Sequence, residues 1–268
     1  ILKTKAAVYE LDWSMTKSIL LESIDLAKKY GLELLEVEGL VWFGRFCPDL
    51  GLGEQYLAEA EKIAKEMQSI QLLAYIKYFM AMIAYEKEPQ DDYLNYFSEA
   101  KNYLREGHFW EGYINTLEMM SLLISANIKE DVPIWEKLGD PGIGKIVREM
   151  EQATEFIEDD AVLDSLFKRI TLHYFILGAH YIEEYDTTGI PIYINKLIPY
   201  QLKWYEHSRK SGHTKIMEEL DEELEQALIV LQEDAFLGYL FGKNKLLNQY
   251  GRLEVTYGEI SHDTTAII

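Results

Sequence analysis

Ser23-Ile-Asp-Leu-Ala-Lys-Lys-Tyr-Gly31, Ala60-Glu-Lys-Ile-Ala-Lys-Glu-Met-Gln68 and Ala100-Lys-Asn-Tyr-Leu-Arg-Glu-Gly-His108 follow one pattern: a small residue opens a helix-patterned run that stops eight positions later. The starts advance by 37 residues (60 − 23) and then by 40 (100 − 60). One helical hairpin fits each step, and self-similarity at such a period marks stacked helix pairs, an α-solenoid. Looser echoes run from Ala153 to Ala161 and from Trp204 to Gly212.

Apolar residues recur at three- and four-residue steps through Ile19, Ile24, Ala27 and Tyr30, and through Leu57, Ala60, Ile63, Ala64 and Met67. Such a stripe predicts the second, surface-facing helix of each hairpin. Leu32 to Phe46 and Ile70 to Tyr85 are apolar on more sides and predict buried first helices. Pro48 with Gly51 and Gly53, then Pro89 with Asp91, are the expected breaks. The regular region covers 1–126. Residues 127–144, with Pro133, Gly139, Pro141, Gly142 and Gly144, read as a connector or insertion. Longer, divergent hairpins follow over 145–235, with helical stretches from Ile146 to Glu158, Val162 to Tyr185, Ile192 to Ser211 and Thr214 to Leu231. A glycine-rich segment over 236–268 reads as a cap on the last repeat, and Leu253 to Tyr257 alternates enough for a short strand.

Ala60 and Ala100 suit a close crossing, because a large side chain there would hold two helices beyond their packing distance of about 8–10 Å. In this feature, and in hairpin length, the chain resembles the tetratricopeptide-repeat superfamily, most clearly over residues 1–125. The tryptophan and glycine-tyrosine positions of the family's first helix and its closing proline are poorly kept. The resemblance implies a right-handed superhelix of about five to six hairpins whose first helices line a concave wall. It also implies a protein–protein interaction module, a scaffold or the sensor arm of a larger regulator.

Composition narrows the partner. Among 268 residues, 26 are lysine or arginine and 46 are acidic, a formal charge of −20. That field repels polyanions, so nucleic acid is disfavoured and a basic peptide or protein is expected. Hydrophobic content of 48% supplies a continuous core, and 19 tyrosines supply amphipathic contact surface. Cys47 stands alone and cannot form an internal disulfide, and no long uncharged apolar run appears, so a reducing, cytoplasmic setting and no membrane partner are expected. Ile1 stands where an initiator methionine would be, which suggests an excised fragment or processed product.

Several constellations invite chemical readings. Gly139-Asp-Pro-Gly-Ile-Gly144-Lys145 has the spacing of a phosphate-cradling loop and would make the chain a nucleotide-responsive regulator. Ile146 stands where a magnesium-holding hydroxyl belongs, and the competing reading is a helix start with Asp140 as cap and Pro141 first. Leu228 to Asp234, an apolar run closed by acids, reads as buried helix. Asp159, Asp160 and Asp164, with Asp91, Asp92, Asn95 and Glu99, place carboxylates one helical turn apart, as in an all-α magnesium enzyme acting on a diphosphate. Helix capping explains the same aspartates. His173 and His180 share a face with Glu183 and Glu184 beyond them, and groove polarity is preferred there over a metal site. Cys47, among Trp42, Phe43 and Phe46, reads as a packed thiol.

The reading expects no catalytic residues, cofactor or metal. The expected ligand-binding groove comprises Trp42, Arg45, Tyr75, Tyr78, Tyr113, Asn115, Arg169 and His173 on the first helices, with Trp110 beside them. Aromatics there give contact area, and arginine or asparagine clamps peptide carboxylates and amides. Arg45, Asn115 and Arg169 stand out, because a polar side chain in a mostly apolar helix requires a partner.

Overall fold

A computed structural model describes residues 13–87, 92–128, 137–138, 140–183, 196–218, 220 and 222. The expected strand at 253–257, the segment 236–268, the run 228–234 and the pattern before residue 13 lie outside the described residues. The described elements are helices: α1 (Trp13–Tyr30), α2 (Glu33–Phe46), α3 (Leu50–Glu66), α4 (Ile70–Lys87), α5 (Asp92–Glu106), α6 (Trp110–Asn127), α7 (Pro141–Ala153), α8 (Asp160–Glu183) and α9 (Ile198–Ser211). None is long and apolar enough to cross a membrane. The chain divides into two compact units, Ile1–Leu123 and Ile124–Ile268.

In the first unit each helix packs on the next, from α1 through α5, and α2 also touches α4. The division of labour matches the patterning. Helices α2 and α4 are apolar nearly all round and lie between neighbours, whereas α3 and α5 bury one stripe. Leu20, Val37, Leu40, Phe43, Leu57 and Ile76 sit in one core, and removing a side chain such as Phe43 from water is worth about 2–3 kcal/mol. Lys77 is the charged member of this interior. Its Nζ lies 3.1 Å from Glu61 on α3 and 2.8 Å from Glu99 on α5, while Tyr96 offers its ring face. Burial pulls the Lys77 pKa down, but hydrogen bonds to Glu99 and Glu61 outweigh it and leave the pKa raised.

The runs quoted first end on a shared device. Gly31, Gln68, His108 and Gly212 have left-handed backbone, with φ of 64°, 54°, 57° and 75°. In each case the following amide bonds back to the carbonyl five residues earlier: Leu32 to Ala27, Ser69 to Ala64, Phe109 to Leu104 and His213 to Ser208. That closure satisfies the last helical carbonyls and stops the helix within a residue or two. Four of the five runs, those ending at Gly31, Gln68, His108 and Gly212, therefore mark helix ends. The run from Ala153 to Ala161 does not, because Ala153 is the last residue of α7 and Asp159 starts the next helix. The 40-residue step extends to detail: residues 71–80 and 111–120 pass through the same succession of exposed and buried positions.

Four glycines expected as breaks, Gly51, Gly53, Gly142 and Gly144, lie inside helices. Gly51 and Gly53 belong to α3, which starts after Pro48 with the Asp49 carboxylate accepting from the Leu52 amide at 3.0 Å. Gly53 faces Gly44 of α2, where the two backbones cross so closely that a β-carbon on Gly53 would lie 2.6 Å from the Gly44 carbonyl oxygen. Gly142 and Gly144 belong to α7, which starts inside the expected connector and as the helix-start reading of this string has it: Pro141 comes first, and the Asp140 carboxylate accepts from the Gly142 amide at 2.7 Å.

In the second unit α8 packs on α7 and on α9. Its start follows from Asp159, whose carboxylate accepts from the Val162 amide at 3.0 Å. Ile143, Val147, Leu166, Phe167, Ile170 and Ile198 are among its buried apolar residues.

Candidate functional site

Helices α2 and α4 bring four of the expected groove residues onto neighbouring positions of the first unit. Trp42 stacks on Phe46 one turn later, with centroids 5.4 Å apart and planes inclined by 13°. Tyr75 stands edge-on to Phe79 at 4.7 Å, and Tyr78 meets Phe79 at 5.6 Å and Phe97 of α5 at 5.4 Å. Arg45 joins the two helices. Its guanidinium lies 5.6 Å from the Phe46 ring and 5.8 Å from the Phe79 ring, and Nη1 is 3.4 Å from Glu86 on α4. The partner that its position demanded is thus an acid of the adjacent first helix, supplemented by two aromatic faces.

This aromatic strip is only partly covered. Tyr75 is 46% exposed, and Trp42, Arg45, Phe46, Tyr78 and Phe79 are half-buried. Burial, and then the neighbouring Glu38 carboxylate, raises the Tyr75 pKa; burial also raises that of Tyr78 against the opposing charge of Arg45. Glu38, Tyr75 and Asn115 are separated by the same 37- and 40-residue steps as the runs above (75 − 38 = 37, 115 − 75 = 40), and the α2 and α4 helices that carry Glu38 and Tyr75 touch. Asn115 is exposed on α6, whereas Tyr113 is 1% exposed and belongs to the core, so it does not line an open wall. Trp110 meets Tyr113 edge-on at 6.1 Å and His108 at 5.2 Å.

Arg169 and His173 lie on α8 in the second unit. Arg169 Nη1 donates to Ser165 Oγ at 2.7 Å, one turn back on the same helix. The His173 ring is largely covered and packs edge-on to Tyr174 at 5.2 Å. Burial lowers the His173 pKa to about 4, with Glu151 opposing. The fold therefore keeps the ring neutral where an unfolded histidine, at about 6.5, begins to take a proton. Protons bind the unfolded chain first as pH falls, so the unit loses stability between pH 6.5 and 4, by as much as about 3 kcal/mol from this residue. Denaturant titrations across that range should show a steeper loss for the native chain than for His173→Phe. Parallel curves would refute the assignment.

Two polar networks of the second unit were not visible in sequence spacing. Asp164, inside α8, accepts from Trp204 Nε1 at 2.9 Å and Ser208 Oγ at 3.3 Å on α9, and from His213 Nδ1 at 2.6 Å. A carboxylate only accepts, so His213 carries its proton on Nδ1. His207 Nε2 lies 3.7 Å from both Asp160 and Asp164. Glu151 of α7 accepts from Tyr174 at 2.8 Å and from Lys196 at 3.0 Å. Burial first, and Glu151 next, raises the Tyr174 pKa and brings that of Tyr200 to about 12. Only the Trp204 and Ser208 pairing, one turn apart on α9, could have hinted at a shared acceptor.

Within the second unit, Asp159 caps a helix and Asp164 accepts from Trp204, Ser208 and His213, so both carboxylates are engaged by protein donors. Asp91 and the Asp92 side chain lie outside the described residues. Among the described residues no three of histidine, cysteine, aspartate and glutamate are grouped to hold a metal ion. In the glycine string, the Gly142 amide serves the Asp140 carboxylate and the Gly144 amide serves the Asp140 carbonyl, so neither is presented to a phosphate. Gly139, the His180 side chain and Glu184 lie outside the described residues. Cys47 is a buried free thiol.

Searched against protein-family models and against curated proteins, the sequence matches none.

Proposed function

We propose that the chain is a non-catalytic protein–protein interaction module, a right-handed tetratricopeptide-like superhelix of about five to six hairpins. It takes a peptide or protein segment into the groove lined by its first helices, and it serves in the cytoplasm as a scaffold or as the sensor arm of a larger regulatory protein. One observation carries this reading: the half-open strip of Trp42, Phe46, Tyr75 and Phe79 across α2 and α4, fixed from within by Arg45 and Glu86. Aromatic side chains held in place by their neighbours lose little entropy on binding and form the energetic centre of an interface.

The test is selection of 12-residue peptides from a random displayed library on the intact chain. Selected peptides should bind Trp42→Ala and Tyr75→Ala at least about tenfold more weakly than the native chain, as for central interface anchors. Thermal unfolding of Tyr75→Ala should stay close to native, since that ring is 46% exposed. Selected peptides indifferent to both substitutions would place binding elsewhere and sink the proposal.

A further inference from the structure

The charge of the groove helices specifies the ligand more narrowly. Helices α2, α4 and α6 carry three basic residues, Arg45, Lys77 and Lys87, and α6 carries none of them. Each is already held by acids: Arg45 by Glu86, Lys77 by Glu61 and Glu99, and Lys87 by Glu54. The same three helices carry six carboxylates, Glu33, Glu36, Glu38, Glu86, Glu111 and Glu118. Glu38 differs from Glu36, which approaches Lys28 at 3.9 Å, in having no basic partner among the described residues. It lies one helical turn before Trp42, hence on the same face of α2, and acts on the half-exposed ring of Tyr75 across on α4.

We infer that the groove's ligand is a segment carrying an arginine or lysine, whose cation sits against the Glu38 carboxylate and the Tyr75 ring, with its apolar neighbours on Trp42 and Phe46. This rests on the peptide-groove reading above and names the chemistry of its ligand. A partly buried carboxylate without a counter-charge beside an open aromatic face gives a cation both an ion pair and a ring. Arg45 plays the complementary part. With Glu86 as its acid and Phe46 and Phe79 under it, it fills the space between the two helices rather than standing as a receptor for an acidic ligand. The net charge of −20 draws the same class of partner from solution.

The peptides selected above supply the probe. Arginine or lysine should recur among them, and replacing that residue by citrulline, which keeps shape and removes charge, should weaken binding to the native chain about fivefold to tenfold. Glu38→Gln should weaken the cationic peptide by a similar factor and leave the citrulline peptide unchanged, since the coupling belongs to the pair. Raising salt from 50 mM to 500 mM should shrink the citrulline effect on the native chain. Binders lost in Tyr75→Ala but lacking a basic residue, or indifferent to Glu38→Gln, would overturn the cation site and leave the groove standing. Absence of any binder sensitive to Tyr75→Ala would overturn both.

Discussion

Replacing Asp164 by alanine should destabilise the second unit by about 3–5 kcal/mol, the range for removing one partner of a buried charged network. The carboxylate is 12% exposed and is the acceptor for Trp204 Nε1, Ser208 Oγ and His213 Nδ1, so one truncation leaves three donors facing a void between α8 and α9. An indole N–H cannot rotate to find another acceptor, and burial denies it water. Asp164→Asn should cost less, because its amide oxygen still accepts from Trp204 while its NH₂ faces the His213 donor. The readout is Trp204, 7% exposed in the native unit, whose emission should shift to the red at lower denaturant in both variants and earliest in Asp164→Ala. A shift in stability under about 1 kcal/mol would mean that these hydrogen bonds contribute little.

Gly53→Ala should lower the stability of the first unit by about 1–3 kcal/mol, as expected when a methyl group is forced into a closed contact. Two effects oppose each other. Alanine is the better helix former by about 1 kcal/mol in a helix interior, which alone would make the change favourable. The added carbon, however, would sit 2.6 Å from the Gly44 carbonyl oxygen and 3.3 Å from Ile83, and backbone cannot turn aside as a side chain does. Helix α3 would have to withdraw from α2, loosening the packing of Leu57 and Cys47. Gly144→Ala supplies the contrast. Its nearest neighbour would be the Arg148 guanidinium at 3.5 Å, so helix propensity should prevail and stability hold or rise. Hydrogen exchange resolved by helix should show faster opening of α2 and α3 in Gly53→Ala and native rates in Gly144→Ala. Equal behaviour of the two variants would show that the crossing relaxes freely.

These contrasts indicate what the sequence could disclose. Periodicity separated buried first helices from striped second helices, because burial on every side and burial on one side leave different apolar spacing, as α2 and α3 illustrate. The repeating run located the left-handed helix ends even at Gln68, where no glycine advertises the turn, and at His108, where the left-handed residue is the one after Gly107. Glycine misled where it serves proximity rather than chain reversal: Gly53 allows α3 to approach α2, and a one-dimensional reading cannot tell the two uses apart. Arg45 announced its need for a partner, but Glu86 lies 41 residues on. Asp164 looked like one of a carboxylate series until α9 and the turn after it placed an indole, a hydroxyl and an imidazole around it. Tyr113 shows the converse, since a tyrosine at a first-helix position can point inward as readily as outward.

Lys77 bears on how the first unit responds to force. Its ammonium grips the helix before α4 and the helix after it, from the side away from Tyr75 and Phe79. Spreading α3 from α5 would stretch both ion pairs at once, so the two contacts resist that separation together. Pressure on the aromatic strip would therefore meet a surface backed from behind by both ion pairs.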